Sequence, residues 1–122
     1  MRALVSASLV VVAVIHLLPV SGALGARRLS ALYGLSFDEP NLEILMRHRA
    51  VMFGLLGVFL LGAAFSAALQ PMAFGAGLVS VVSFVGLAWR VGGYNGALRR
   101  VVAVDLVALA CLVLGGVLRA LG

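Results

Sequence analysis

Four long apolar runs alternate along the chain with short segments that hold nearly all of its charge. The first covers residues 3–20, ALVSASLVVVAVIHLLPV, where only Ser6, Ser8, His16 and Pro19 interrupt the apolar pattern. The second carries an uncharged stretch from Ala50 to Leu69. At about 1.5 Å per residue such a stretch crosses a hydrocarbon layer of about 30 Å. The pattern predicts helices over 3–20, 40–69, 71–90 and 99–119 in a single domain, 1–122. The fold class expected is an all-α membrane protein, an antiparallel up-down-up-down four-transmembrane-helix bundle. A secretory signal peptide is the rival reading of the first run, with Ser21-Gly22-Ala23 imitating a cleavage site. The run exceeds the 7 to 15 residues of a typical signal core and has a single Arg before it, so it is read as the first spanning helix.

The connections sharpen the picture. Between the first and second spans, Leu24, Arg28, Ala31, Leu32 and Leu35 recur at helical spacing, which predicts a short amphipathic helix lying in the interface. Asp38-Glu39-Pro40-Asn41 then reads as a helix start, with Asp38 as the N-cap and Pro40 where a missing N–H costs nothing. Glu43 and Arg47 fall four apart, in the order that favours an ion pair. Gln70-Pro71 predicts a tight turn, and Val91-Gly92-Gly93-Tyr94-Asn95-Gly96 a compact reversal. No Walker lysine or serine follows those glycines, so they make no phosphate loop. Trp89 at the end of the third span suits an interfacial anchor. In the second span Ala50 with Gly54, Gly62 with Ser66 and Ala63 with Ala67 are small pairs that admit a neighbouring helix, in the bundle or in a homodimer.

Composition agrees with this layout: 64% of the 122 residues are hydrophobic and 11% charged, against about a quarter charged in soluble domains. All nine cations are arginines, against Asp38, Glu39, Glu43 and Asp105, for a net charge of +5. They lie at the ends of apolar runs, and no groove-reading or base-stacking pattern accompanies them, which argues against nucleic acid. Arg27, Arg28, Arg47, Arg49, Arg90, Arg99 and Arg100 fall on one side of the membrane, Arg2 and Arg119 on the other. The positive-inside rule makes the first side cytoplasmic and turns both termini outward, into the periplasm if the cell is Gram-negative. Cys111 is the only cysteine, which excludes an intrachain disulfide.

With the spans aligned, His16, Arg47, His48, Arg49, Arg90 and Asp105 fall at similar depth. Ser83 and Gly86 extend a weakly polar stripe inward from Arg90. Asp105 lies more than a turn inside the fourth span, where an unpaired carboxylate costs some 2.5–3.5 kcal/mol on insertion scales. Its expected partner is an arginine of the second span or Arg90. The cluster His16, Arg47, His48, Arg49, Ser83, Arg90 and Asp105 is therefore the candidate ligand site. Forked arginines suit the anionic or quinone-like head of a membrane lipid or isoprenoid, with the apolar bundle receiving the tail. Haem between His16 and His48 is a further alternative. No catalytic set and no metal-ligand motif is present. An architectural role, with Asp105 locking helices together, competes with the ligand reading.

The segments HLLPVSGALG, LYGLSFDEPNLEILMRHRAVMFGLLG and VGGYNGALRRVVAVD resemble a group of small uncharacterised bacterial four-span inner-membrane proteins. Members of that group often bear the label phosphopantetheine adenylyltransferase. The resemblance implies a bacterial inner-membrane location but brings no established activity or site. The label describes a soluble α/β nucleotidyl transferase, which four apolar spans in 122 residues do not accommodate. The size is also similar to that of small multidrug transporters, which depend on a glutamate in the first span, where this chain has His16. Three functions follow as expectations: a binder of a membrane amphiphile, an accessory or assembly subunit of a larger membrane complex, and a dimeric proton-coupled transporter.

Overall fold

The computed structural model describes all 122 residues. They form five α-helices and no strand: α1 Arg2–Leu17, α2 Ala26–Tyr33, α3 Pro40–Ala63, α4 Gln70–Val91 and α5 Gly96–Leu121. A 3-10 segment, Leu18–Leu24, extends α1. Four helical stretches, Arg2–Leu24, Pro40–Ala63, Gln70–Val91 and Gly96–Leu121, are long and apolar enough to cross a membrane. Only 23 residues are buried, so most apolar side chains lie on the outside of the helices. Val58, Val79, Leu87 and Val107 are among those exposed. An apolar surface of this extent suits hydrocarbon rather than water.

Helix α1 packs chiefly against α3 and α5, and α4 packs against α5 and, less extensively, α3. The main core draws Leu9 and Val12 from α1, Leu60 from α3, Phe74 and Val81 from α4 and Leu112 from α5. Ser6 near the start of α1 donates to the Ala64 carbonyl at 2.6 Å, just past the end of α3. At its other end, Leu17 lies over Gly57, where an added Cβ would stand 2.7 Å from Leu17 Cγ. Gly54 likewise faces Val20, and Ala50 is buried near Gly22. The small residues Ala50, Gly54 and Gly57 are thus occupied by the chain's own first helix, whereas Gly62 has open space beside it.

Several boundaries differ from the sequence expectation. The second span ends at Ala63 rather than Leu69, and the reversal occupies residues 64–69 instead of Gln70-Pro71. Side chains of other helices take the carbonyls there: Ser6 donates to Ala64 O and Arg119 to Ala67 O. Gln70 and Pro71 instead open α4, and Gln70 accepts from Arg119 Nε at 3.1 Å. The first run leaves α-helical geometry at Leu17, just before Pro19 enters the 3-10 segment.

The N-cap of α3 is Glu39 rather than Asp38. Its carboxylate accepts from Leu42 N and Asn41 Nδ2, both at 2.9 Å, while Asp38 accepts from the Ser36 hydroxyl. The backbone N–H of Asn41, then that of Leu42, holds the exposed Glu39 carboxyl below its ordinary pKa. The expected pair of Arg47 with Glu43 is present at 3.7 Å.

Helix α5 begins at Gly96, earlier than expected, because Asn95 caps it: Asn95 Oδ1 accepts from Leu98 N at 2.9 Å. The same amide donates through Nδ2 to Tyr33 O at 2.8 Å. Gly34, at φ 66°, ends α2 in the left-handed conformation and lies close to that amide. Leu29, Tyr33 and Phe37 form a small second core, packed against Met46, Leu98 and Val101. That core seats α2 across the ends of α3 and α5.

Candidate functional site

The end of α1, its 3-10 extension, α2, the first turns of α3 and the first turns of α5 do not close completely on one another. They leave a cavity of about 300 Å³ with nine hydrophobic residues among its fourteen lining residues. Ile15, Leu18, Phe53, Val101 and Val104 supply apolar wall; His16, Tyr33, Arg49, Arg100 and Asp105 supply the chemistry. The volume falls in the lower part of the range typical of small-molecule sites, about 300–1,000 Å³.

His16 is buried in the last turn of α1. Its Nδ1 lies 2.9 Å from Val12 O and its Nε2 2.9 Å from Ser80 Oγ. A carbonyl only accepts, so Nδ1 carries the hydrogen; in the neutral ring Nε2 then accepts from the Ser80 hydroxyl. The ring also meets Phe53 at 5.7 Å between centroids. Both ring nitrogens are spent on bonds within the protein, which ties α1 to α4 and leaves His16 as a wall of the cavity.

Arg49 occupies the opposite situation. One Nη1 hydrogen is donated to the Tyr33 hydroxyl at 2.7 Å. The guanidinium carbon stands 4.4 Å from the Phe53 ring centroid, with the Tyr33 and Phe84 rings at 5.6 Å and 5.8 Å. Aromatic faces attract the cation and fix its plane. Of five guanidinium donors, one has a protein acceptor, and Arg49 makes no ion pair. The chain thus holds an oriented arginine whose remaining donors are free.

Asp105 also departs from expectation: it forms neither an ion pair nor a side-chain hydrogen bond, since the single ion pair of the protein joins Arg47 to Glu43. No fully buried side-chain oxygen lacks a partner, so the unpartnered Asp105 oxygens retain access to the cavity they line. Arg100, exposed at the rim, lines the cavity with Ala97, Val101, Val104 and Asp105 of α5 and is likewise without a protein partner. Helix locking by an Asp105–arginine pair is therefore not the arrangement found.

The remaining members of the expected cluster lie elsewhere. Arg47 is exposed and donates to Ala23 O at 3.0 Å. His48 and Arg90 are exposed and line neither this cavity nor the one adjoining it. Ser83, also exposed, turns its hydroxyl back to Ser80 O at 3.0 Å. Helical phase explains the separation. Arg49 and Phe53 share one face of α3, about 100° around from His48. On α4 the inward residues include Gly77, Val81 and Phe84, and Ser83, Gly86 and Arg90 fall outside that face. Haem held by His16 and His48 is not assembled, because His16 has committed both nitrogens and His48 points to the exterior. No grouping of three or more His, Cys, Asp or Glu side chains suits a metal ion.

A second cavity of about 420 Å³ adjoins the first and shares Tyr33 and Arg49 with it. Its other walls include Phe37, Leu42, Met46, Phe84, Leu87 and Leu98. The hydrogen-bonded Arg49–Tyr33 pair is therefore the partition between a mixed polar cavity and an almost wholly apolar one.

Three site residues were not singled out by the sequence reading: Tyr33, Ser80 and Arg100. Tyr33 had a signal in its place on the amphipathic segment; Arg100, about 140° around the helix from Asp105, had none beyond lying at the start of the fourth span. Ser80 had none beyond being a hydroxyl inside an apolar run. Comparison with known proteins returns no family model, no curated relative and no solved structure that matches the chain.

Proposed function

We propose that this protein is a multi-pass bacterial inner-membrane protein that binds the anionic or quinone-like head of a membrane amphiphile in the cavity bounded by His16, Tyr33, Arg49, Arg100 and Asp105. In this reading the four long helices cross the bilayer as an antiparallel up-down-up-down bundle. Helix α2 lies in the cytoplasmic interface, and both termini are periplasmic. The observation that carries it is Arg49: an arginine oriented by aromatic rings and a tyrosine hydroxyl, facing a mixed cavity, with donors left over. An arginine needed only for topology requires no such orientation.

Forked N–H groups of Arg49 and Arg100 receive phosphate, carboxylate or carbonyl oxygens of the head. Ile15, Leu18, Val101 and Val104 accompany the start of the apolar tail. Native mass spectrometry of the detergent-solubilised protein tests the reading. Arg49→Gln removes a co-purifying lipid or quinone, whereas Arg47→Gln, outside the cavity, retains it. Equal retention in wild type and Arg49→Gln would overturn the proposal. Orientation is tested separately: a C-terminal reporter active only in the periplasm is active, and one active only in the cytoplasm is silent.

A further inference from the structure

The cavity holds opposite charges that the protein does not pair with each other. Asp105 and Arg100, five residues apart on α5, both line it, and Arg49 reaches the same space from α3. None of the three forms an ion pair. Arg49 is kept in place by the Tyr33 hydroxyl and the Phe53 ring, so it is not free to swing onto the carboxylate. Asp105 has no hydrogen-bonded partner of its own. A site for a purely anionic head has no use for a carboxylate, which would repel it. A site for a neutral carbonyl has no use for two cations and an anion. Spatially separated charges of both signs around one apolar-walled space complement a ligand that itself carries both signs.

Resting on the amphiphile reading above, we infer that the ligand head is zwitterionic, a phosphate joined by a short linker to a primary ammonium. The phosphate oxygens take N–H donors from Arg49 and Arg100. The ammonium donates to the Asp105 carboxylate, and its positive charge replaces the partner that the chain withholds. Cationic heads without N–H hydrogens leave Asp105 without a donor, and heads without any cation leave its charge uncompensated. Both are discriminated against, because a buried polar group left unmatched loses more than a hydrogen bond gains. The same chemistry occurs in a membrane phospholipid and in its soluble head, and the test separates the two sources.

The probes are phosphatidylethanolamine, phosphatidylglycerol and phosphatidylcholine with identical acyl chains, and glycerophosphoethanolamine as the soluble head. Each phospholipid is titrated against the full-length protein in native mass spectrometry. Wild type retains phosphatidylethanolamine about tenfold better than either competitor, a factor equal to about 1.4 kcal/mol. Asp105→Asn abolishes that preference by lowering phosphatidylethanolamine retention while sparing phosphatidylglycerol, and Asp105→Glu restores part of it. The wild-type comparison needs no variant, so it decides the matter even if Asp105→Asn fails to fold.

Equal or better retention of phosphatidylcholine or phosphatidylglycerol by wild type overturns the zwitterion inference. If Arg49→Gln still releases those lipids, the amphiphile reading survives that failure. If no lipid responds to Arg49→Gln, both fall. Displacement of bound phosphatidylethanolamine by glycerophosphoethanolamine supports recognition of the head alone. Specific phosphatidylethanolamine binding without such displacement supports the membrane lipid as source.

Discussion

Replacing Gly57 by alanine tests how tightly α1 is set against α3 at the margin of the cavity. The new Cβ would lie 2.7 Å from Leu17 Cγ, 2.8 Å from Leu17 Cδ2 and 3.3 Å from Ala13 O. Leu17 Cγ is one bond from its own Cβ, and Ala13 O belongs to the α1 backbone, so neither retreats by turning a terminal methyl. Forcing a methyl into a packed site costs about 1–3 kcal/mol. Removing glycine from a helix interior returns about 1 kcal/mol, leaving a net loss between about zero and 2 kcal/mol. Gly86→Ala supplies the reference, because nothing lies within 4 Å of the Cβ it adds. The propensity gain cancels between the two variants, and their stability difference isolates the overpacking cost of about 1–3 kcal/mol. Unfolding in mixed detergent micelles, followed by far-ultraviolet circular dichroism, measures both. Equal stability of the two variants would refute the close approach of α1 to α3.

Ser80→Ala leaves His16 Nε2 without its partner, and the loss of a buried acceptor's hydrogen bond costs about 1–3 kcal/mol; the same unfolding measurement reads it, and an unchanged midpoint would remove the α1–α4 tie. Glu39 titrates below the ordinary glutamate range because the N–H groups at the start of α3 favour its charged form. Its contribution is therefore present above the ordinary value and lost as pH falls through the depressed one; a carboxyl NMR titration with a midpoint at or above the ordinary value would contradict this. Asp105→Asn and Arg47→Gln combine additively, within about 0.5 kcal/mol, since Arg47 bonds Ala23 and Glu43. Coupling well beyond that in a double-mutant cycle would restore a direct pair.

The four spans were legible because each is a long, predominantly apolar stretch, a signal that survives ignorance of tertiary contacts. The start of α3 was legible to within a residue, since Pro40 restricts what precedes it. The end of α3 was not: residues 64–69 are as apolar and small as the helix before them. The chain turns where Ser6 and Arg119, remote in sequence, donate hydrogen bonds to the freed carbonyls. The site was legible in depth but not in azimuth. Alignment of spans brought His16, Arg49 and Asp105 to one level, and the three line one cavity. It also admitted Arg47, His48, Ser83 and Arg90, because depth does not specify which side of a helix a residue occupies. A helix apolar all round offers little amphipathic contrast from which to read that side. In α3 the phase is set by Ala50, Gly54 and Gly57, whose small size lets α1 approach. Small residues read as admitting a neighbouring helix, in the bundle or in a homodimer, were also the signal for rotation.

One local device reaches the site through three steps, and Asn95 is its origin. Asn95 Oδ1 caps α5 through Leu98 N, and Asn95 Nδ2 holds Tyr33 O at the end of α2. Tyr33 in turn accepts the hydrogen bond from Arg49. The two functions of the Asn95 amide separate by substitution. Asn95→Asp keeps an oxygen to cap α5 but replaces the donor to Tyr33 with a second acceptor, which faces the carbonyl unfavourably. Asn95→Ala removes both bonds, and loss of the cap costs about 0.5–2 kcal/mol. Hydrogen exchange therefore distinguishes them. Asn95→Asp raises exchange in Ala26–Tyr33 while the first turn of α5 stays protected; Asn95→Ala raises exchange in both. Loosening Tyr33 also frees the Arg49 guanidinium, so amphiphile retention falls in Asn95→Asp although that variant alters no residue lining the cavity. Unchanged exchange in α2 would sever the link between the α5 cap and Arg49. Arg49 would then keep its bond to the Tyr33 hydroxyl and its place among the rings without help from Asn95.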